Sequence, residues 1–156
     1  PPLRAWDVGT GSGAIAIAIA AGLRARGALG EVAIRMSDRS PDALALALEN
    51  AVAHGVADAI EPALGDLLAG EPAPRPPYAL VAANLPYIPT GDLPGLPSAT
   101  RHEPAMALDG GPDGLDLVRR LMDGLPGVLA ADGLALLEIG ADQGPATLAR
   151  SVEHTV

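Results

Sequence analysis

Asp7-Val8-Gly9-Thr10-Gly11-Ser12-Gly13-Ala14 is the stretch from which the fold is read. It closes the apolar segment Leu3–Val8, a short buried strand, and opens the alanine-rich, proline-free run Ala14–Arg26, which reads as a helix. A strand that passes into a helix through alternating glycines is the first unit of an α/β domain. Glycines let the backbone turn tightly and approach a ligand, and the following helix offers free amide groups.

Outward from this turn the same alternation continues. Glu31–Met36 reads as a second strand with Asp38 at its carboxyl end. Ser40-Pro41 supplies an N-cap and a proline at the first helical position, and the helix Asp42–His54 carries Leu44, Leu48 and Val52 on one face before Gly55 stops it. A strand at Ile60–Leu64 ends near Asp66, Gly70–Pro77 is a proline-rich loop, and Tyr78–Ala83 is an apolar strand expected inside the sheet. Asn84–Pro112 is a long excursion rich in proline and glycine, of the length that functional loops reach. Leu115–Leu125 reads as a helix, Leu134–Ile139 as a strand and Pro145–Val152 as a last helix.

Five strands alternating with helices predict an α/β fold, a doubly wound and mostly parallel sheet. Ligands of such sheets bind outside the carboxyl ends of the strands. Asp7, Asp38, Asp66, Asn84 and Glu138 all fall there, from five different strands.

Composition narrows the chemistry. The 156 residues fit one domain, and an apolar fraction of 49% argues against disorder. Without cysteine there is no disulfide and no thiolate metal site, and the three histidines lack ligand-like spacing, so no metal is expected. All ten basic residues are arginine, only Arg119 and Arg120 are adjacent, and the net charge is −9, which disfavours direct nucleic-acid binding. The longest apolar run, Ala14 to Leu23, is about half a membrane span, and no secretory leader is recognisable. A cytoplasmic protein without a membrane partner is expected. Trp6, Met36, Tyr78 and Met122 read as core, His54 as a helix-end residue, and Arg101 and His102 as anchors of the long loop.

The glycine turn alone also fits a dinucleotide site, or a tight turn with no ligand. Asp7, two positions before the first glycine, favours another ligand. A carboxylate aimed into the turn repels a pyrophosphate and attracts the ammonium of an amino-acid moiety, which S-adenosylmethionine carries. Asp38 can accept hydrogen bonds from ribose hydroxyls with either ligand. Farther along, Asn84-Leu85-Pro86-Tyr87 follows the fourth strand. An asparagine presents both a carbonyl and an amide, and Pro86 disfavours a helical Leu85, so the Leu85 carbonyl can point outward. Asn84 and that carbonyl can hold a planar NH2 group by both hydrogens and aim its nitrogen at a methyl sulfonium, while Tyr87 packs on the flat face. An ordinary Asn/Pro turn with a buried tyrosine is the competing reading.

Asp7–Gly13 resembles motif I of class I S-adenosylmethionine-dependent methyltransferases, and Asn84–Tyr87 resembles the (N/D/S)-x-P-(Y/F) motif of enzymes that methylate planar NH2 groups. The segment His102–Asp116 (HEPAMALDGGPDGLD) is similar to the corresponding stretch of the HemK-type glutamine N5-methyltransferases that modify peptide chain release factors, and Leu137–Gly140 with Gln143-Gly144 matches them too. The resemblance spans essentially all 156 residues. It implies a Rossmann-like methyltransferase core, with S-adenosylmethionine held by Asp7, Gly9, Thr10, Gly11, Ser12, Gly13, Asp38, the Asp66-Leu67 corner and Asn84. It also implies that Asn84, Leu85, Pro86 and Tyr87 grip the glutamine of a release factor's Gly-Gly-Gln loop. Leu85 stands where the family has proline, and Leu67 where it often has an aromatic residue. The resemblance further implies that residues 1–156 are the catalytic domain alone, without the N-terminal helical domain and the C-terminal antiparallel strand pair. Three other readings remain at this level: an adenine N6-methyltransferase on rRNA or DNA, a non-catalytic cofactor-binding module, and a dehydrogenase.

Overall fold

The computed structural model describes residues 2–69, 77–97 and 104–147. Five strands form one sheet: β1 (Leu3–Val8), β2 (Val32–Asp38), β3 (Ile60–Leu64), β4 (Tyr78–Asn84) and β5 (Leu129–Glu138), in the order β3-β2-β1-β4-β5. The pairings of β1 with β2, β1 with β4, and β2 with β3 are parallel. Helices α1 (Ala14–Ala25), α2 (Pro41–Ala53) and α3 (Asp116–Gly124) complete the α/β doubly wound architecture expected from the alternation. Among the described residues no helix is long and apolar enough to cross a membrane.

The chain divides into two compact units. Pro1–Ala83 with Leu125–Leu136 forms the first, and Asn84–Gly124 with Leu137–Val156 the second. The core of the first unit gathers Ala16, Ile17 and Ala20 of α1, Ile34 and Met36 of β2, Ala47 and Ala51 of α2, and Val56 and Ile60. On the other face of β1, Trp6 donates its indole N–H to Ser37 Oγ at 2.8 Å and packs against Tyr78, with ring centroids 4.9 Å apart. The second unit has its own small core, in which Leu115, Val118 and Met122 meet Leu137 and Ile139. Trp6, Met36, Tyr78 and Met122 are therefore core residues, and His54 caps the end of α2, all as expected.

The Ser40 N-cap forms as anticipated, its hydroxyl accepting the Ala43 N–H at 3.2 Å, and Gly55 ends the helix at a φ of +68°. The apolar face of α2 differs from expectation. Leu44, Ala47 and Ala51 are buried, whereas Leu48 (37% exposed) and Val52 (66%) face solvent. The cause is close packing beside the glycine turn. A methyl group placed on Gly13 would lie 3.1 Å from the Ala47 Cβ, so the turn packs directly on α2 at Ala47 and leaves no room there for a larger side chain.

Strand β5 starts five residues earlier than the expected Leu134, because it runs on through Asp132-Gly133, and it ends at Glu138, one residue before Ile139. Gly133 lies where its backbone runs close to the Tyr78 carbonyl, 2.8 Å from an added Cβ. Within the long excursion the described residues hold short 3-10 turns at Thr90–Gly95 and Ala105–Ala107 and a parallel bridge between Ile88 and Asp109. Arg101 and His102, most of the loop at 70–77 and the greater part of the last helix lie outside the described residues.

Candidate functional site

The first unit builds the glycine turn as a rigid cradle. Gly9, Gly11 and Gly13 all take left-handed φ values, +68°, +55° and +84°, which side chains rarely adopt, so the alternating glycines are a geometric requirement of the turn. Its crest is tied to β2 by the Thr10 N–H, which donates to the Ser37 carbonyl at 2.8 Å. Its base is closed by the Gly13 N–H donating to the Thr10 carbonyl at 2.9 Å. A side chain at Gly11 would meet nothing within 4 Å, so that face of the turn is open. The Ser12 carbonyl accepts from the Asn50 side-chain amide of α2 at 2.9 Å, which fastens the far side of the turn.

Asp7 is the last polar group of β1 before the turn, and it is 1% exposed. Its Oδ2 accepts the Thr10 hydroxyl at 2.6 Å and the Ala16 N–H at 3.0 Å. Helix α1 has no side-chain cap at Gly13, and the Asp7 carboxylate answers one of its open amides instead. The other oxygen, Oδ1, is buried with no hydrogen-bond partner. Burial pushes the Asp7 carboxyl above its ordinary range; the Thr10 and Ala16 hydrogen bonds pull it down in part, and the nearby Asp38 charge pushes it up. A buried acceptor left without a donor is costly, and it adds to the burial that raises this carboxyl.

Asp38 ends β2 and is engaged on both oxygens. Oδ2 accepts the Gly11 N–H and Oδ1 the Ser40 N–H, each at 2.9 Å. Each oxygen keeps lone-pair capacity for a hydroxyl donor. The two carboxylates thus occupy the Gly11 and Ala16 amides, which a phosphate would need, and add negative charge to the same turn. A pyrophosphate fits this cradle poorly, and a phosphate-free ligand with an ammonium and hydroxyls fits it well.

The Asp66-Leu67 corner follows β3. The Gly65 N–H ties it to the Asp38 carbonyl at 3.0 Å, and the Ala69 N–H donates to the Asp66 carbonyl at 3.0 Å. Leu67 has a φ of +53° and is the one non-glycine residue with positive φ among the described residues. Backbone strain of this kind concentrates where a ligand is held.

The second unit holds the Asn84-Leu85-Pro86-Tyr87 loop. Asn84 ends β4 and is exposed, Leu85 is 4% exposed, and Pro86 and Tyr87 are partly covered. Leu85 therefore buries its side chain. Behind the loop runs the segment 104–116. The Ile88 N–H donates to the Leu108 carbonyl at 3.1 Å, the Gly110 N–H to the Ile88 carbonyl at 2.9 Å, and the Thr90 N–H to the Gly111 carbonyl at 2.9 Å. Asp109 accepts the Thr90 hydroxyl at 2.7 Å and the Gly111 N–H at 2.9 Å, which hold its carboxyl below the ordinary range. The Arg119 guanidinium beside Asp113 does the same to that carboxyl.

The structure thus gathers Asp7, Gly9, Thr10, Gly11, Ser12, Gly13, Asp38, Asp66 and Leu67 in the first unit and Asn84, Leu85, Pro86 and Tyr87 in the second. Gln143 carried no role in the sequence reading. It is 7% exposed, and its amide nitrogen donates to the Tyr87 carbonyl at 2.9 Å. The family resemblance includes Gln143-Gly144, but nothing in the spacing assigns the glutamine a task; the contact with Tyr87 does.

No family model matches the chain. It is 50% identical over 149 residues to the release factor glutamine methyltransferase of Moorella thermoacetica, covering 94% of this chain and 50% of that protein. It is 40% identical over 140 residues to the ribosomal protein uL3 glutamine methyltransferase of Bordetella pertussis, covering 90% of this chain and 44% of that protein. The chain spans about half the length of the curated relatives it matches. Among solved structures, the ribosomal protein L11 methylase from Lactobacillus delbrueckii subsp. bulgaricus superposes with a TM-score of 0.64 at 24% identity, covering 98% of this chain and 60% of that one. That likeness establishes the methyltransferase-type Rossmann fold.

Proposed function

We propose that this chain, which belongs to the HemK-type glutamine methyltransferase family, transfers a methyl group from S-adenosylmethionine to the side-chain amide nitrogen of a protein glutamine. A peptide chain release factor is the substrate this reading favours, and its loop glutamine the acceptor. The observation that carries it is Asn84: a side chain with both a carbonyl and an amide, exposed at the end of a strand. The residues after it are buried or tied down through their backbone.

S-adenosylmethionine would supply a methyl group on a sulfonium: the N–C bond forms as the C–S bond breaks, S-adenosylhomocysteine leaves, and the amide nitrogen gives up one proton to water. Asp7, whose carboxylate keeps one oxygen without a partner, would attract the ammonium of the methionyl moiety. The carboxylate of Asp38 would take the ribose hydroxyls, Gly9–Gly13 would let the backbone approach, and Leu67 of the Asp66-Leu67 corner would offer apolar surface to the adenine. Asn84 Oδ1 and the Leu85 carbonyl would accept the two hydrogens of the substrate amide and so orient its nitrogen. Tyr87 packs against the flat amide. Proline at position 85 is dispensable in this arrangement, since the backbone carbonyl does the work and the Leu85 side chain fills the core.

The test incubates the intact protein with labelled S-adenosylmethionine and, separately, a release factor, ribosomal protein uL3 and RNA. Mass spectrometry should find one added methyl group on the glutamine of a Gly-Gly-Gln peptide. Label on uL3 alone moves the substrate assignment, and label on an adenine of the RNA overturns the amide reading.

A further inference from the structure

Gln143 has a buried side-chain amide whose hydrogen-bonding groups are all spoken for. Its Oε1 accepts the Gly140 N–H at 2.8 Å, and its Nε2 donates to the carbonyls of Tyr87 at 2.9 Å and Asp113 at 3.2 Å. Turning the amide over would set its oxygen against two carbonyls and its NH2 against an N–H, so the orientation is fixed by its partners. From Gln143 a chain of contacts runs into the loop that holds the substrate amide in the reading above. Tyr87 is two residues beyond Leu85, and Pro86 lies between them with its φ locked by its ring. The ring removes one of the torsions between the Tyr87 and Leu85 carbonyls, and the close approach of the Pro86 carbonyl to Gly110 restrains the next, so a shift at Tyr87 is passed on in part to the Leu85 carbonyl.

The backs of the same peptides are moulded against two glycines. A Cβ on Gly110 would lie 2.7 Å from the Pro86 carbonyl oxygen, and one on Gly114, whose φ is +76°, would collide with the Tyr87 carbonyl oxygen and come within 2.5 Å of the Gln143 Nε2. With the Ile88 ladder to Leu108 and Gly110, every peptide from Pro86 to Ile88 is held from behind, by packing or by a hydrogen bond.

We infer that Gln143 is a positioning residue of the methyl-transfer site: by holding the Tyr87 carbonyl against the Gly110–Gly114 segment it sets the direction in which the Leu85 carbonyl and Asn84 meet the substrate amide. This rests on the proposed function for its catalytic consequence, and on the hydrogen bonds alone for its mechanical one. Displacements of about 1 Å at a reacting centre cost on the order of a hundredfold in rate, so loosening this pin acts on turnover.

The experiment uses Gln143→Glu and Gln143→Met in the intact protein. Glutamate keeps the acceptor toward Gly140 and loses both donors; methionine keeps the approximate shape and loses all polar partners. Both variants should lower kcat by about ten- to a hundredfold, with cofactor Kd within threefold of the parent. The Glu variant should regain turnover as pH falls, because its protonated carboxyl can again donate to the Tyr87 carbonyl, while the Met variant should not. Independently of turnover, amide exchange at Ile88 and Gly110 should quicken in both variants, while Gly13 and Ile17 in the other unit stay as in the parent.

Turnover within threefold of the parent, or unchanged exchange at Ile88 and Gly110, overturns the assignment. So does a loss of cofactor affinity that tracks a loss of melting temperature, which marks a merely structural residue. If the Glu variant does not fold, the Met variant carries the same comparison. Should the parent transfer no methyl group to any glutamine, the proposed function fails, and the exchange measurement still decides whether Gln143 holds the loop.

Discussion

The glycine turn of the first unit and the Asn84–Tyr87 loop of the second treat their carboxylates in opposite ways. Asp7 is buried with one oxygen unpaired, and its carboxyl is pushed up by desolvation. Asp109 and Asp113, beside the loop, are satisfied by Thr90 and Gly111 and by Arg119, and both carboxyls are drawn down. The signs of the pH response follow. The stability associated with Asp7 is present below its unfolded value of 3.8 and is lost as pH rises through the higher folded value. For Asp109 and Asp113 the stability is present above 3.8 and is lost as pH falls through the lowered values, and because Asp113 is exposed and Asp109 partly so, solvent screening keeps it small. At neutral pH the turn is therefore the part of the molecule with something to gain from a ligand, and the loop is the part already at rest. One is poised to bind; the other is built to hold a shape.

The sharpest way to break that contrast is Asn84→Ala. It removes the side chain that presents the substrate amide and leaves the hydrogen bonds of Asp7 and the backbone ladder behind the loop as they are. Methyl transfer should fall by about a hundredfold or more, while S-adenosylmethionine affinity, measured by calorimetry, stays within a few-fold. Normal turnover in this variant removes Asn84 from the site, and a parallel collapse of cofactor binding means that loop and cradle do not have separate tasks.

Asp7→Asn attacks the other region. Losing a charge-assisted hydrogen bond to an ammonium is worth roughly 1.5–3 kcal/mol, or about ten- to a hundredfold in cofactor Kd. The same change removes the buried charge. The melting temperature of the unliganded variant should therefore rise relative to the parent as pH increases from 4 toward neutrality. A constant difference between the two proteins over that range shows that Asp7 is not held uncomfortably, and the account of the cradle fails with it.

The two regions were not equally legible in the sequence. The cradle is nearly contiguous: glycines spaced by two, an acid two positions before them and a second acid at the next strand end specify both turn and chemistry. The bounds of β1 and β3 came directly from their apolar runs. The loop depends instead on residues far along the chain. Asn84-Leu85-Pro86-Tyr87 could be singled out, but its support by Gly110, Gly114 and Gln143 involves separations of more than twenty residues and leaves no periodic trace. The buried face of α2 was hidden for a similar reason. The pattern Leu44, Leu48, Val52 is the more apolar stripe, yet the close approach of Gly13 to Ala47 turns the alanine stripe inward. Hydrophobicity ranks candidate faces; the space available chooses among them.

Leu67 is the finest test of the division between a poised cradle and a settled loop, because it sits in the cradle unit with its backbone at a φ of +53°. A left-handed conformation costs a non-glycine residue roughly 1–2 kcal/mol, and glycine gives back about 0.5–1 kcal/mol through its larger entropy loss on folding. Leu67→Gly should thus leave the unliganded protein equal or more stable by up to about 1 kcal/mol, a rise of roughly 2–4 °C in melting temperature. If the strained backbone serves to lay the leucine side chain against the adenine, cofactor binding should weaken by a few-fold at the same time, since about 1 kcal/mol of apolar contact is lost. Greater stability together with weaker binding is the signature of strain kept for a ligand. Greater stability with unchanged binding leaves the strain real but takes Leu67 out of the cofactor site, and the cradle then ends at Asp38.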